Sequence, residues 1–488
     1  MGVAADGPVP GGLDRVVPLR RNRDFQLLWG GQAVSVLGSQ TSKIAYPLLV
    51  LAMTGSPAKA GIAGFAAMLG YLLFPLLAGG LADRHDRKRI MIVCDALRLA
   101  AVGSIAVAGW AAHITYVQVL VAGFVEGTAS VFFGLAQRGA LPMLVHPSQR
   151  SVAIGQNEAR QNAAQLAGPA LGGWLFGLSR AAPFAADAAS YLASLVTLPF
   201  IKTPMQLPPT AAAASTAATA PTSARASTSA SASGSAAASG SASAWAPGGL
   251  RASLGEGLAW TWREPFLRYS AFFAASVNLL LQILTLGIIV LARHDGASPA
   301  QVGLIVGCTG AGGLAGALVA PRLAARIPAG LAITGCMWIW TGLLALIVLV
   351  RVPLWLCPIV AAFGFVGPTW NVSVQTYRML ITPNELLGRT SSLALQLGWG
   401  VIPLGSLLAG FLLQAVSPTA AMTAVAAGMA VTAVAATALA PIRDAGRSDG
   451  GSDRRGDRPR PAMPAPTSAL RETPTPASQE PPGSPAPA

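Results

Sequence analysis

The chain has 488 residues, of which 53% are hydrophobic and only 11% charged, with a formal net charge of +14 at pH 7. So apolar a composition excludes an ordinary water-soluble globular protein. The four cysteines, Cys94, Cys308, Cys336 and Cys357, all fall within apolar runs and show no metal-ligand spacing, which excludes a disulfide scaffold and a cysteine metal centre.

Apolar segments of about 20 residues suffice to cross a hydrocarbon layer roughly 30 Å thick. Such segments recur at 24–52, 58–82, 88–111, 115–141, 150–178 and 183–204, and again at 265–292, 299–325, 329–350, 353–379, 386–415 and 418–441. Their apolar residues run continuously rather than alternating, so twelve transmembrane helices are predicted rather than a barrel. The first run is too long for a cleaved signal peptide and lacks its basic, apolar, small-residue order.

With the N-terminus placed in the cytoplasm, outer loops receive only Lys59, Arg180, Arg293 and Arg351. The inner side takes the bulk of the arginines, from Arg15, Arg20, Arg21 and Arg23 to Arg322, Arg326, Arg378 and Arg389. This asymmetry predicts that both termini are cytoplasmic. The positive charge therefore reports topology, and no nucleic-acid surface is expected.

The expected order is a cytoplasmic segment at 1–23, six helices in 24–204, a connection at 205–264, six helices in 265–442 and a Pro-rich, disordered tail at 443–488. Residues 205–249 are mostly Ala, Ser, Thr, Pro and Gly with the single charge Arg225 and almost no large apolar residue, the composition of a flexible linker. Leu250, Leu254 and Leu258 then recur every four residues beside Trp260 and Trp262, which predicts an amphipathic helix lying on the inner membrane face.

The two halves repeat one another. "SPAKAG" at 56–61 and "SPAQVG" at 298–303 each open a span that closes in "LADR" at 81–84 or "LAAR" at 323–326. "MLVHP" at 143–147 matches "MLITP" at 379–383, and Phe25 pairs with Phe266 at nearly the same offset. Six plus six spans that both start inside form a parallel repeat, an alternating-access carrier design with the substrate site at midplane between halves.

The repeat is asymmetric at one place. "GGLADRHDRKR" at 79–89 crowds charge behind a glycine pair, whereas Ala325 stands opposite Asp83 and Ile327–Ala329 opposite Arg87–Arg89. The glycines suggest close helix approach, and Asp83 a charge contact at a helix end. The stretch resembles motif A of the major facilitator superfamily, matched by Gly79, Leu81, Asp83, Arg84, Arg87, Lys88 and Arg89, with Gly80 before Leu81. In that family the motif resembles a charge latch that steadies the outward-facing state. "GQNEARQNAAQLAGPALGG" at 155–173 resembles motif C of exporting antiporters through Gly155, Gly168, Pro169, Gly172 and Gly173, with Ala164 in place of one glycine. "PLRRNRDFQLLW" at 18–29, "DAASYLAS" at 187–194, "WREPFLR" at 262–268 and "GRTSS" at 388–392 are similar to the branch containing the enterobactin exporter and macrolide efflux proteins. Motif B departs from the family: Gly123, four residues before Gly127, stands where an intramembrane arginine is usual.

Ionisable groups at membrane depth are costly and each is a site hypothesis. Glu126, in mid-span 4, is either a proton carrier or a structural partner of Lys43 in span 1. Asp95 and Arg98, three residues apart, suit an ion pair; Asp187 either caps or pairs, or takes part in transport. Asn278, Gln282, Asn371, Gln375 and Gln396 either line a cavity or bond helices together, and Trp370 and Trp399 either pack or contact an apolar substrate.

The resemblance implies an all-α integral membrane protein of the major facilitator fold in the bacterial cytoplasmic membrane. It would export an amphiphilic drug, siderophore or secondary metabolite, coupled to protons. The alternatives are a flippase or importer on the same fold, or a transport-inactive sensor or scaffold. The only histidines, His85, His113, His146 and His294, lie at predicted loops, so no enzyme is expected, and without a Walker A motif no ATPase. A monomer with no metal or cofactor is expected, its partners being a small-molecule substrate, protons and membrane lipids.

Overall fold

A computed structural model describes residues 17–206, 259–350, 352–382, 390, 397–398 and 400–446, and every side chain there except those of Leu76 and Asp83. Outside the described residues fall the predicted linker and most of the amphipathic helix at 207–258, the tail from 447, Gln396 and Trp399. Residues 259–263, which carry Trp260 and Trp262, are helical.

The N-terminal half contains α1 (Arg23–Thr54), α2 (Pro57–Leu73), α3 (Pro75–Arg84), α4 (Arg87–Trp110), α5 (Tyr116–Leu144), α6 (Arg150–Leu178) and α7 (Ala182–Thr197). The C-terminal half contains α8 (Pro265–His294), α9 (Pro299–Arg326), α10 (Ala329–Leu349), α11 (Leu356–Ile381), α12 (Ile402–Ala415), α13 (Pro418–Ala438) and the short α14 (Ala440–Arg443).

Local chemistry sets the ends. Asn22 caps α1 by accepting from the Phe25 amide at 3.1 Å, and Gly55 closes it in the left-handed region at φ 63°. Ser56 and Ser298, the first residues of the repeated "SPA" stretches, cap α2 and α9 respectively. Two boundaries differ from the sequence expectation. The predicted span 58–82 is two helices, because Pro75 has no N–H for the carbonyl four residues back and α3 restarts there. The predicted span 183–204 ends at Thr197, and Pro199 sits in the 3-10 turn Leu198–Phe200 that follows.

By length and composition, α4, α5, α8, α9, α10, the stretch Pro353–Ile381 and α13 are apolar enough to cross a membrane. At 32 residues α1 is long enough but too polar, because it buries Gln32, Ser35, Gln40, Thr41 and Ser42 against its neighbours. It packs on α6 and α7, while α4 packs on α5 and α7. In the other half α9 packs on α11, α10 on α11 and α13, and α8 on α12. The halves meet through α6 against α9 and α2 against α12.

Without a hydrophobic drive between lipid-bathed helices, close backbone approach by small residues holds such seams. Gly127 of α5 faces the Ala67 carbonyl of α2 so closely that a Cβ would collide with it, whereas a Cβ at Gly134 would meet nothing within 4 Å. Gly127→Leu is therefore expected to cost about 1–3 kcal/mol or more through overpacking. Thermal unfolding in detergent should show a clear fall in melting temperature for Gly127→Leu and little change for Gly134→Leu.

Candidate functional site

A stripe of polar side chains runs along α1 at Gln32, Ser35, Ser39, Ser42 and Tyr46, spaced three and four residues apart and so on one helix face. An answering stripe on α7 holds Asp187, Ser190, Tyr191 and Ser194. Because the helices run antiparallel, the stripes pair in reverse order. Gln32 Nε2 donates to Ser194 Oγ at 2.9 Å, Ser39 Oγ and Tyr191 Oη share a hydrogen bond of 2.8 Å, and Ser42 Oγ donates to Asp187 Oδ2 at 2.5 Å. Gly31 and Gly38 allow the approach, since a Cβ on either would strike Thr197 or Ser190.

The carboxylate of Glu126, on α5, completes this seam. It accepts from Tyr46 Oη at 2.8 Å and from Tyr191 Oη at 3.1 Å, and only 9% of the residue is exposed. An ion pair with Lys43, one of the two readings of Glu126, is not formed: Tyr46, three residues further along α1, makes the contact instead. Lys43 is exposed to solvent space on its own face of α1, with its ammonium in electrostatic reach of both Glu126 and Asp187. Asp187 is fully buried in the body of α7 and accepts from Ser42 and Ser190, so it pairs rather than caps.

Next to this lies the second charged group of the half. Arg98 and Asp95 of α4 approach to 3.2 Å and are 4% and 0% exposed, as their spacing predicts. Ser194 Oγ donates to Asp95 Oδ2 at 2.6 Å, joining this pair to Gln32. The guanidinium of Arg98 stacks 5.0 Å from the Tyr191 ring and 4.3 Å from that of Phe133. Gln32, Ser194, Asp95, Arg98, Tyr191, Glu126 and Tyr46 thus form one continuous polar path through the half.

The C-terminal half shows one buried charge among its described residues, Arg378 of α11, 6% exposed, which donates to Gln375 Oε1 at 3.2 Å. Asn278 donates to the Gly398 carbonyl at 2.9 Å and Gln282 to Ser406 Oγ at 3.1 Å, so both bond α8 to its neighbours. Asn371 and Gln375, one turn apart on α11, are exposed. Trp370 packs 6.4 Å from the Trp340 ring with its indole N–H unpartnered.

The two motif regions behave differently. The motif C glycines make tight seams: Gly168 and Gly172 lie against Gln40 and Thr41 of α1, and Gly173 lies against Gly303 and Pro299 of α9. Gly155 has open space around it. At the same end of the molecule Gly61 of α2 meets Gly410 of α12, and Ser56 Oγ donates to Gln414 Oε1 at 2.8 Å. The glycine pair at Gly79 and Gly80, expected to permit close approach, has nothing within 4 Å of either Cβ position. Both lie at the opposite end, away from these glycine seams between the halves. The neighbouring cations instead tie the ends of their own half. Arg87 donates to the carbonyls of Gly139 at 2.6 Å and Ala82 at 3.2 Å, and Lys88 to those of Pro199 and Ile201 at 2.9 Å each. Arg84 and Arg89 are exposed, and Asp86 caps α4. The Asp83 side chain is outside the described set.

Residues 28–403 match the family model of the Major Facilitator Superfamily. The chain belongs to that superfamily. The transporter is 27% identical over 423 residues to multidrug efflux pump Tap of Mycobacterium tuberculosis (strain ATCC 25618 / H37Rv), covering 84% of this chain and 92% of that protein. It is 26% identical to macrolide efflux protein A of Streptococcus pyogenes over 181 residues, 37% of this chain and 45% of that one. Among solved structures it resembles nucleoside transporter NupG, with a TM-score of 0.64 and 13% identity over 86% of this chain and 98% of that chain. It also resembles a bacterial homologue of the iron transporter ferroportin in its inward-facing state, with a TM-score of 0.63 and 14% identity over 86% and 98%. These two likenesses concern the fold alone. The protein is accordingly a multi-pass membrane transporter of small molecules and not an enzyme.

Tyr46 and Tyr191, which hold Glu126, are absent from the sequence expectation, although the polar stripe on α1 was a readable signal for Tyr46. Removing one hydroxyl leaves a buried carboxylate short of a donor, at a cost of about 1–3 kcal/mol. Tyr46→Phe should therefore lower the melting temperature of the transporter by several degrees, and by much less in a Glu126→Gln background. A double-mutant cycle read by thermal unfolding measures that coupling, and equal losses in both backgrounds would mean that only the ring matters.

Proposed function

We propose that the transporter exports amphiphilic small molecules across the bacterial cytoplasmic membrane in exchange for protons, working as a monomer with both termini in the cytoplasm. Glu126 and Asp187 act as the coupling carboxylates and Lys43 as their counter-ion. The relatives named as efflux pumps support the direction, and the Glu126 site supports the coupling. Around the seam of α1 with α7 stand two cations, the buried Arg98 and the exposed Lys43, against three buried carboxylates, Asp95, Glu126 and Asp187. A single added proton makes this set neutral, and neutrality is the favoured state of ionisable groups in hydrocarbon surroundings. Tyrosine donors permit either protonation state of Glu126, because a hydroxyl accepts as readily as it donates.

With this topology the glycine seams of α6 with α9 and α2 with α12 seal the outer end, so the arrangement is inward-facing. Gly168, Pro169, Gly172 and Gly173 form that seal, with Gly155 further inward on α6. Asn371, Gln375 and Trp370 supply the C-terminal wall of the substrate path, together with Asn278, Gln282, Gln396 and Trp399. The open space around Gly79 and Gly80 suits a latch that is disengaged in this state. Asp83 and the cations Arg84, Arg87, Lys88 and Arg89 engage the other half when the inner ends close.

Inside-out vesicles with an imposed pH gradient and a panel of amphiphiles test the coupling. Glu126→Gln keeps the shape and removes the titratable group, so gradient-driven transport should fall at least about ten-fold while membrane insertion is unchanged. Normal transport by Glu126→Gln across pH would overturn the assignment. Asp83→Asn tests the latch. Loss of a charge-assisted contact worth about 1–3 kcal/mol should shift the carrier toward the inward-facing state by about ten-fold or more. A cysteine introduced by Gly79→Cys should then react faster from the cytoplasm and export should drop. Unchanged labelling with normal export would leave the motif without a gating role.

A further inference from the structure

A cavity of about 630 Å³ opens on the flank of the C-terminal half between α9, α10 and α11. Its walls are Ala311 and Ala315 of α9, Ile339 and Leu343 of α10, and Ala362 and Phe365 of α11. The groove opens away from the protein: Ile339 is 52% exposed and Phe365 36%. It arises because α9 and α11 pack backbone against backbone, Gly312 on Ala361 and Gly316 on Phe365, while alanines leave the space beside the seam unfilled.

The α9 wall continues into two cations. Arg322 and Arg326 follow Ala315 by seven and eleven residues, which puts both on the stripe that faces the groove, about 10 and 17 Å further along the axis. Both are exposed, and neither has a carboxylate partner among the described residues. Arg322 Nη1 donates to the Leu318 carbonyl at 3.2 Å, so its guanidinium folds back along α9. The basic cluster of the other half differs, since Arg87 and Lys88 donate to carbonyls outside their own helix.

We propose that this groove is a specific site for an anionic phospholipid, with an acyl chain lying between α10 and α11 and the phosphate held by Arg322 and Arg326. An apolar trough in contact with the bilayer suits a chain of methylenes, and two guanidiniums without a described carboxylate partner, about two and three turns along α9 from Ala315, suit a phosphodiester. On the topology proposed above, the lipid belongs to the cytoplasmic leaflet. A lipid whose own ammonium neutralises its phosphate gains less from the arginines, and a soluble phosphate lacks the chain.

Native mass spectrometry of the full-length transporter taken from nanodiscs of mixed phosphatidylglycerol and phosphatidylethanolamine tests this directly. Wild type should retain phosphatidylglycerol preferentially. The double variant Arg322→Gln, Arg326→Gln should lose that preference by about ten-fold or more, with phosphatidylethanolamine unaffected. Ala315→Phe fills the trough and should lose the lipid with both arginines in place. Glycerol phosphate at millimolar concentration should not displace it. Undiminished phosphatidylglycerol retention in the arginine double variant would overturn the proposal, as would displacement by glycerol phosphate, which would mean an anion site without a chain. Should Ala315→Phe fail to fold, the arginine variant, which alters only exposed side chains, decides the matter alone.

Discussion

In a hydrocarbon solvent a polar side chain that is not bonded to the protein is bonded to nothing, and the seam between α1 and α7 is built under that constraint. Ser42 with Asp187, Ser39 with Tyr191 and Gln32 with Ser194 close three rungs between antiparallel helices. Glu126 joins from α5 through two tyrosines, and the Arg98–Asp95 pair from α4 through Ser194. One network therefore fixes how four helices of the N-terminal half sit together. It also gathers the buried charges of Asp95, Arg98, Glu126 and Asp187 where a protonation change is felt by all four helices. The coupling role proposed for Glu126 follows from this economy: the group that orders the half is the group whose charge can vary.

The rest of the architecture relies on the absence of side chains. Gly61 on Gly410 and Gly173 on Gly303 bring the two halves into contact at one end through backbone alone. Such seams are tight but carry few directional bonds, Ser56 with Gln414 being one. Contacts of that kind separate without leaving buried charges unpaired, which is what a carrier alternating between two arrangements requires. At the other end Arg87 and Lys88 terminate exposed helix carbonyls within one half. The favourable charge at helix C-termini stabilises those ends whatever the other half does.

The amino-acid sequence was enough for an all-helical membrane fold and for the family, because each rests on a periodicity or a motif contiguous in the chain. The pairing of Asp95 with Arg98 was legible for the same reason: the two partners lie within a turn. Seam positions at Gly168, Gly172 and Gly173 were also legible as small residues around a helix proline, although not the helices they meet. What stayed hidden were contacts between residues far apart in the chain. Lys43 and Glu126 looked like natural partners by charge, yet Tyr46 and Tyr191 hold the carboxylate, since direction around α1 and not proximity in sequence decides which side chain reaches α5. Likewise Gly79 and Gly80 read as a site of close approach, and only the packed structure shows that no described residue comes within 4 Å of either Cβ position. Local pattern determined what each helix is; which face meets which neighbour was decided by packing the whole bundle, because hydrogen bonds and backbone approach in a membrane are satisfied only in three dimensions.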